Sequence, residues 1–84
     1  MKISLKLYAS LTDHLPAESR VGNRVELEVA DGATIAQVIE PYRMPPKLVH
    51  LVLVNGVFIA PERRPGHALV EGDVLAIWPP IAGG

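Results

Sequence analysis

The stretch His50 to Ile59 reads HLVLVNGVFI. Leu51 to Val54 form an unbroken apolar run, and Val57 to Ile59 form a second, with Asn55-Gly56 between them. Asn and Gly both tolerate positive φ, which a two-residue type I′ turn demands at its two central positions. The stretch therefore predicts a strand over 51–54, a tight turn, and a short returning strand over 57–59. A lone hairpin is barely stable in water, so the rest of the chain must supply further strands and a cover.

Working outward toward the C-terminus, APERRPGHA (60–68) reads as a loop, because Pro61 and Pro65 cannot donate to a ladder. Glu71-Gly72-Asp73 is a turn signal, and VLAIW, Val74 to Trp78, is the last strand. Toward the N-terminus, Pro45-Pro46 predicts an extended segment. Before it, Thr34 and Gln37 have the spacing of a capping box, in which each side chain satisfies the other's backbone N–H. Ile35, Val38 and Ile39 then share one helical face. Pro41 lacks the N–H that would reach Gln37, so the helix should end near Glu40 to Tyr42. Asp31-Gly32 closes a preceding strand in which Val25, Leu27 and Val29 alternate with Glu26 and Glu28. Pro16 and AESRVGN (17–23) read as loop. Ser10 is expected to cap a short helical turn with Leu11 and Leu15 on one face. Ile3, Leu5 and Leu7 alternate with Ser4, Lys6 and Tyr8, giving the first strand.

The order strand, strand, helix, strand, short strand, strand predicts an α+β fold: a mixed five-stranded sheet packed on one main helix. The expected domain is 1–78, followed by a flexible tail over 79–84. The first two strands have a polar side, whereas LVLV and VLAIW are apolar on both. Two arrangements satisfy that pattern: central strands buried on both faces, or one covered face and one open apolar face that docks a partner. Phe58, Trp78 and Ile81 are the expected exposed anchors, since aromatic residues concentrate in interface cores. Ordinary core packing is the competing role for Phe58 and Trp78. Arg63-Arg64 is read as a pair that orients an acidic partner, against simple solvation.

Composition narrows the function. The chain has 84 residues, 49% of them hydrophobic, and a formal net charge of −1. That is one folded domain without the basic face that nucleic acid or an anionic membrane requires. No apolar run approaches the roughly 20 residues of a membrane span, and the N-terminus lacks a signal-peptide core. The reading is cytoplasmic, with neither nucleic acid nor membrane as partner. Cysteine is absent, which excludes disulfides, zinc thiolates, a thiol nucleophile and a side-chain persulfide. His14, His50 and His67 lie far apart and lack metal-ligand spacing, so no metal is expected. There is no Gly-rich phosphate loop and no evident Ser-His-Asp set.

The ending IWPPIAGG (77–84) carries the remaining signal. Pro79 and Pro80 stop the ladder and favour a stiff extended conformation. Ile81 and Ala82 suit a groove. Gly83 and Gly84 let the backbone enter a channel that any Cβ would block. Gly84 also supplies an α-carboxylate, a poor electrophile until its oxygen becomes a leaving group, as adenylation would achieve.

These residues resemble a known family. The strand order looks like the β-grasp, or ubiquitin-like, fold. LVLVNG, the Leu69, Gly72, Asp73 and Val74 of ALVEGDVLAIWPPIAGG, and the Gly-Gly end resemble the bacterial sulfur carriers. That family includes the small subunit of molybdopterin synthase (MoaD) and the thiamine sulfur carrier (ThiS). The ending from Pro79 to Gly84 resembles the molybdopterin branch more closely. The chain departs from that branch after Leu7, in the long FIAPERRPGHAL connection, and in carrying Pro41.

The resemblance implies a carrier rather than an enzyme, with no bound cofactor. A ubiquitin-activating-like adenylyltransferase of the MoeB/ThiF type would bind the apolar sheet face and adenylate Gly84 with Mg-ATP. A cysteine desulfurase or rhodanese-type protein would supply sulfur, leaving a thiocarboxylate. The tail, Pro79 to Gly84, would then enter a large synthase subunit of the MoaE type and donate dithiolene sulfur. A thiamine-type carrier, a ubiquitin-like modifier conjugated through Gly84, and a noncatalytic β-grasp binding module remain the alternatives.

Overall fold

The structure is a computed structural model and describes residues 1–80. Ile81, Ala82, Gly83 and Gly84, most of the expected tail, lie outside the described residues. Five strands and one α-helix follow the expected order: β1 (Lys2–Leu7), β2 (Arg24–Glu28), α1 (Ile35–Ile39), β3 (Leu51–Val54), β4 (Val57–Phe58) and β5 (Val74–Trp78). The spatial order is β2-β1-β5-β3-β4. Only β1 and β5 pair in parallel, and the other three contacts are antiparallel, so the sheet is mixed. β5 ends at Trp78.

Local chemistry explains the elements. Asn55 has φ 51° and Gly56 φ 83°, the two positive values a type I′ turn requires. Leu53 then faces Phe58, and Val54 faces Val57. At α1, the Thr34 Oγ1 accepts from the Gln37 N–H at 3.3 Å, and the Thr34 N–H donates to Gln37 Oε1 at 2.9 Å. The predicted capping box is formed. The α-helix gives way at Glu40 to a 3₁₀ turn through Tyr42, and Arg43 at φ 53° closes it. This is where Pro41 removes the donor that a longer α-helix needs.

Two expectations are corrected. Ser10 is not an N-cap. Tyr8 holds that position before a 3₁₀ turn over Ala9–His14, and no side chain caps it. Thr12 instead donates from Oγ1 back to the Ala9 carbonyl at 2.9 Å. Leu11 and Leu15 are nonetheless both buried. Pro45 is extended as predicted, but Pro46 already starts a 3₁₀ turn to Leu48. The loop after β4 likewise holds a 3₁₀ turn over Pro61–Arg63.

The core lies between the sheet and α1. Ile3, Leu5, Leu7, Val52, Val54, Leu75 and Ile77 turn one sheet face inward, and Ile35, Val38, Leu11, Leu15 and Leu69 meet them. Every side chain of alternate phase on the same strands must point the other way. That opposite face positions the candidate site.

Candidate functional site

The strand leading to the C-terminus is held on both sides up to its last residue. The Tyr8 N–H donates to the Ile77 carbonyl at 3.1 Å, and the His50 N–H donates to the Trp78 carbonyl at 3.2 Å. Pro79 follows half-buried and Pro80 exposed. Neither has an N–H, so ladder pairing from this strand cannot continue as before.

The outer sheet face divides into two halves. On β2 and β1, Ser4 Oγ donates to Glu26 Oε2 at 2.7 Å and accepts from Arg24 Nη2 at 2.8 Å. Arg24 Nε closes the triangle on Glu26 Oε1 at 2.6 Å. The Ser4 hydroxyl and the Arg24 guanidinium hold the Glu26 carboxyl below its ordinary value. The Ser4, Arg24 and Glu26 side chains thus satisfy one another.

On β5, β3 and β4 the outward residues are apolar. The registers Leu51↔Trp78, Leu53↔Ala76 and Leu53↔Phe58 place these side chains in adjacent rows, with Val74 at the far end. Phe58 is 53% exposed and Leu51 36%. Leu53, Val74 and Trp78 are half-buried, and Ala76 is buried among its neighbours. Among the described residues the helical elements of the core pack on the opposite face, so of the two arrangements the pattern allowed, the open apolar face is the one found. Trp78 is only half-open because the Tyr8 ring stacks on it, with centroids 4.0 Å apart and planes 5° from parallel. Phe58 is an exposed residue of the face, Trp78 a partly covered one, and Ile81 lies outside the described residues.

The two arginines separate. Arg63 is exposed and lines an open groove of about 820 Å³ beside β4, with Phe58, Ala60, Glu62 and His67. Arg64, expected beside it as a partner contact, is buried at 8% exposure. Its Nε donates to the Ile59 carbonyl at 3.1 Å, its Nη1 to Val49 at 3.0 Å and its Nη2 to His50 at 3.0 Å. Burial pushes its guanidinium below the usual value. Adjacent residues in a turn point in different directions, and this one turns inward as a splint between the start of β3 and the end of β4.

The sequence reading missed a latch between Asn55 and Asp73. Asn55 Nδ2 donates to Asp73 Oδ1 at 2.9 Å, and Asn55 Oδ1 accepts from the Val74 N–H at 2.8 Å. The other Asp73 oxygen accepts from the Val70 N–H at 2.9 Å. Gly72 sits at φ 85°, a conformation that disfavours a side chain. The Asn-Gly hairpin and the Gly-Asp turn, 16 residues apart in the quoted motifs, are thus one structure that sets the start of β5.

Among the described residues no cluster of three or more His, Cys, Asp or Glu side chains could hold a metal ion, and no helix is long and apolar enough to cross a membrane. The family model described as the ThiS family matches residues 14–84. The chain belongs to the ThiS family. The crystal structure of SAMP1 from Haloferax volcanii is similar over 100% of both chains, at 28% identity and a TM-score of 0.70. A second crystal structure, of H. volcanii small archaeal modifier protein 1, covers 95% of this chain and 98% of its own, at 26% identity and 0.67. A putative molybdopterin converting factor, subunit 1, from Pyrococcus furiosus covers 96% and 99%, at 20% identity and 0.67, and shares the fold. No curated protein matches the chain significantly.

The fold of this ThiS-family chain is the ubiquitin-like β-grasp, as the sequence predicted. ThiS-family proteins are small noncatalytic carriers that work with E1-like activating enzymes and partner subunits. In the described residues an open apolar face lies beside the held end of β5.

Proposed function

We propose that this ThiS-family chain is a sulfur carrier acting through the Gly84 carboxylate. The observation that carries the reading is the open apolar half-sheet bordered by the very strand that runs into PPIAGG. An adenylyltransferase that docks on Phe58, Leu51 and Leu53 has the chain end within reach of its nucleotide. There a Gly84 carboxylate oxygen attacks the α-phosphorus of Mg-bound ATP, and pyrophosphate leaves. A persulfide sulfur from a cysteine desulfurase or rhodanese then attacks the acyl carbon, and AMP leaves. A second thiol cleaves the resulting acyl disulfide, which frees the thiocarboxylate and leaves a disulfide on the sulfur donor. The chain has no cysteine to perform any of these steps, so every thiol belongs to a partner.

The ending Pro79 to Gly84 favours molybdopterin synthesis as the destination, with a MoaE-type large subunit receiving the tail. A specific observation supports a second reading. The two Haloferax structures at 28% and 26% identity are of a protein named a small archaeal modifier. The same adenylate attacked by a lysine amine would yield an isopeptide conjugate. Incubating the chain with its cognate activating enzyme, ATP and a persulfide source separates the two. Intact mass showing one oxygen replaced by sulfur at Gly84 supports the carrier. Conjugates at higher mass without thiocarboxylate would make it a modifier. An unchanged mass, with no acyl-AMP formed, refutes both.

A further inference from the structure

The Tyr8–Trp78 stack lies where the described part of β5 ends, and several independent features converge on it. The rings are stacked nearly parallel, with centroids 4.0 Å apart. The backbone of Tyr8 itself pairs with β5 through Ile77. Ala9, the next residue, is held at φ 51°, a left-handed conformation that is unfavourable for alanine. Strain of this kind persists only where its surroundings impose it, and such sites are often functional. Here the left-handed turn sends the chain away from the sheet directly after Tyr8, into the 3₁₀ turn at Ala9–His14. The Tyr8 ring is left flat against Trp78 on the outer face.

We infer that Tyr8 is a positioning residue: by clamping Trp78 it fixes the direction in which Pro79 and Pro80 leave the sheet. This rests on the carrier reading above. A stiff proline pair transmits the orientation of its base, so a base that rocks spreads the chain end over many directions. An activating enzyme then captures only the fraction aligned with its channel, and the apparent affinity falls by that fraction. Once captured, the carboxylate reacts as before.

The test uses the full chain as wild type, Tyr8→Leu, Tyr8→Phe, Trp78→Ala and the double variant Tyr8→Leu/Trp78→Ala. Tyr8→Leu keeps apolar bulk while removing the flat ring, and circular dichroism at the assay temperature confirms that each chain is folded. Trp78 is the only tryptophan, so its fluorescence anisotropy reports the base directly. Tyr8→Leu lowers that anisotropy in the free chain, and Tyr8→Phe does not. In ATP–pyrophosphate exchange with the cognate adenylyltransferase, Tyr8→Leu raises the KM for the carrier about 2- to 12-fold, the range set by one aromatic pair, with kcat unchanged. Tyr8→Phe matches wild type. The double variant is no worse than the worse single, because both singles break the same contact. Unchanged anisotropy and KM in Tyr8→Leu overturn the inference. So do single-variant penalties that multiply, which would make Tyr8 a direct partner contact. If Tyr8→Leu does not fold, time-resolved anisotropy of Trp78 in the wild-type chain decides: decay only at the tumbling rate of the whole domain supports the clamp, and a fast local component overturns it. A wild-type chain that is never adenylated overturns the carrier reading and this inference with it; an adenylated wild type beside an unaffected Tyr8→Leu overturns this inference alone.

Discussion

Replacing Arg64 by Met keeps the length of the side chain but removes the donors that serve the carbonyls of Ile59, Val49 and His50. The Ile59 bond is fully buried, and the other two are half-exposed. A hydrogen bond from a charged group contributes about 1.5–3 kcal/mol, and a buried acceptor left alone costs about 1–3 kcal/mol. Water can reach the two outer carbonyls in the variant, so their loss counts for less. The sum is about 2–4 kcal/mol, set against roughly 4–12 kcal/mol for a domain of this length. At about 4–8 °C per kcal/mol, the Tm should fall by roughly 8–30 °C. Thermal and urea unfolding followed by circular dichroism measure this, with Arg63→Ala as the control. Arg63 is exposed, and its loss should stay within about 0.5 kcal/mol. A Tm for Arg64→Met within about 4 °C of wild type would refute the splint. A normal Tm combined with lost partner binding would return Arg64 to the docking surface.

Three further outcomes follow from the same geometry. Thr34→Ala removes one half of the capping box and should lower stability by about 1 kcal/mol, whereas Thr34→Ser, which restores the hydroxyl, should lie near wild type in the same unfolding assay. Ser4 and Arg24 hold the Glu26 carboxyl below its ordinary pKa in the folded state, so its contribution is present above the unfolded value and is lost as pH falls through the folded one. The Tm gap between wild type and Glu26→Gln should therefore be open at pH 7 and close in acid; a gap that widens in acid contradicts the assignment. Phe58→Asp puts a charge on the open face at a residue 53% exposed, and should weaken capture by the activating enzyme about tenfold or more while leaving the Tm little changed. Titration calorimetry and a melt on the same sample check both halves.

What the sequence disclosed was local. The Asn55-Gly56 turn, the Thr34–Gln37 box and the alternation in β1 and β2 each involve residues a few positions apart, where backbone geometry and spacing decide the outcome. The strand order was legible only through resemblance, since the β1–β5 pairing joins Leu7 to Ile77 and no periodicity encodes it. The site was read unevenly for the same reason. Phe58 could be expected at the surface from its short edge strand. The inward turn of Arg64 could not, because nothing in RR distinguishes its two members. Nor did spacing reveal that Asn55 would answer to Asp73, or that Tyr8 would meet Trp78 70 residues away. The Ser10 expectation failed because a left-handed Ala9 begins that turn, a conformation that sequence preference argues against.

The division of the outer face limits how much apolar surface the sheet leaves open. A wholly apolar face on a five-stranded sheet would invite indiscriminate association. Here Ser4, Arg24 and Glu26 form a closed polar network on the two strands farthest from β4, and that network gains nothing from a partner. On the outer face, the exposed hydrophobic area is thereby confined to β5, β3 and β4. Its boundary is the parallel β1–β5 contact, which must exist for β5 to run centrally and to exit beside the end of β1. One topological choice therefore places the patch, the aromatic pair and the departing strand end on the same side. On the carrier reading proposed above, a partner that recognises the patch would meet Trp78 and Pro79 on the same side.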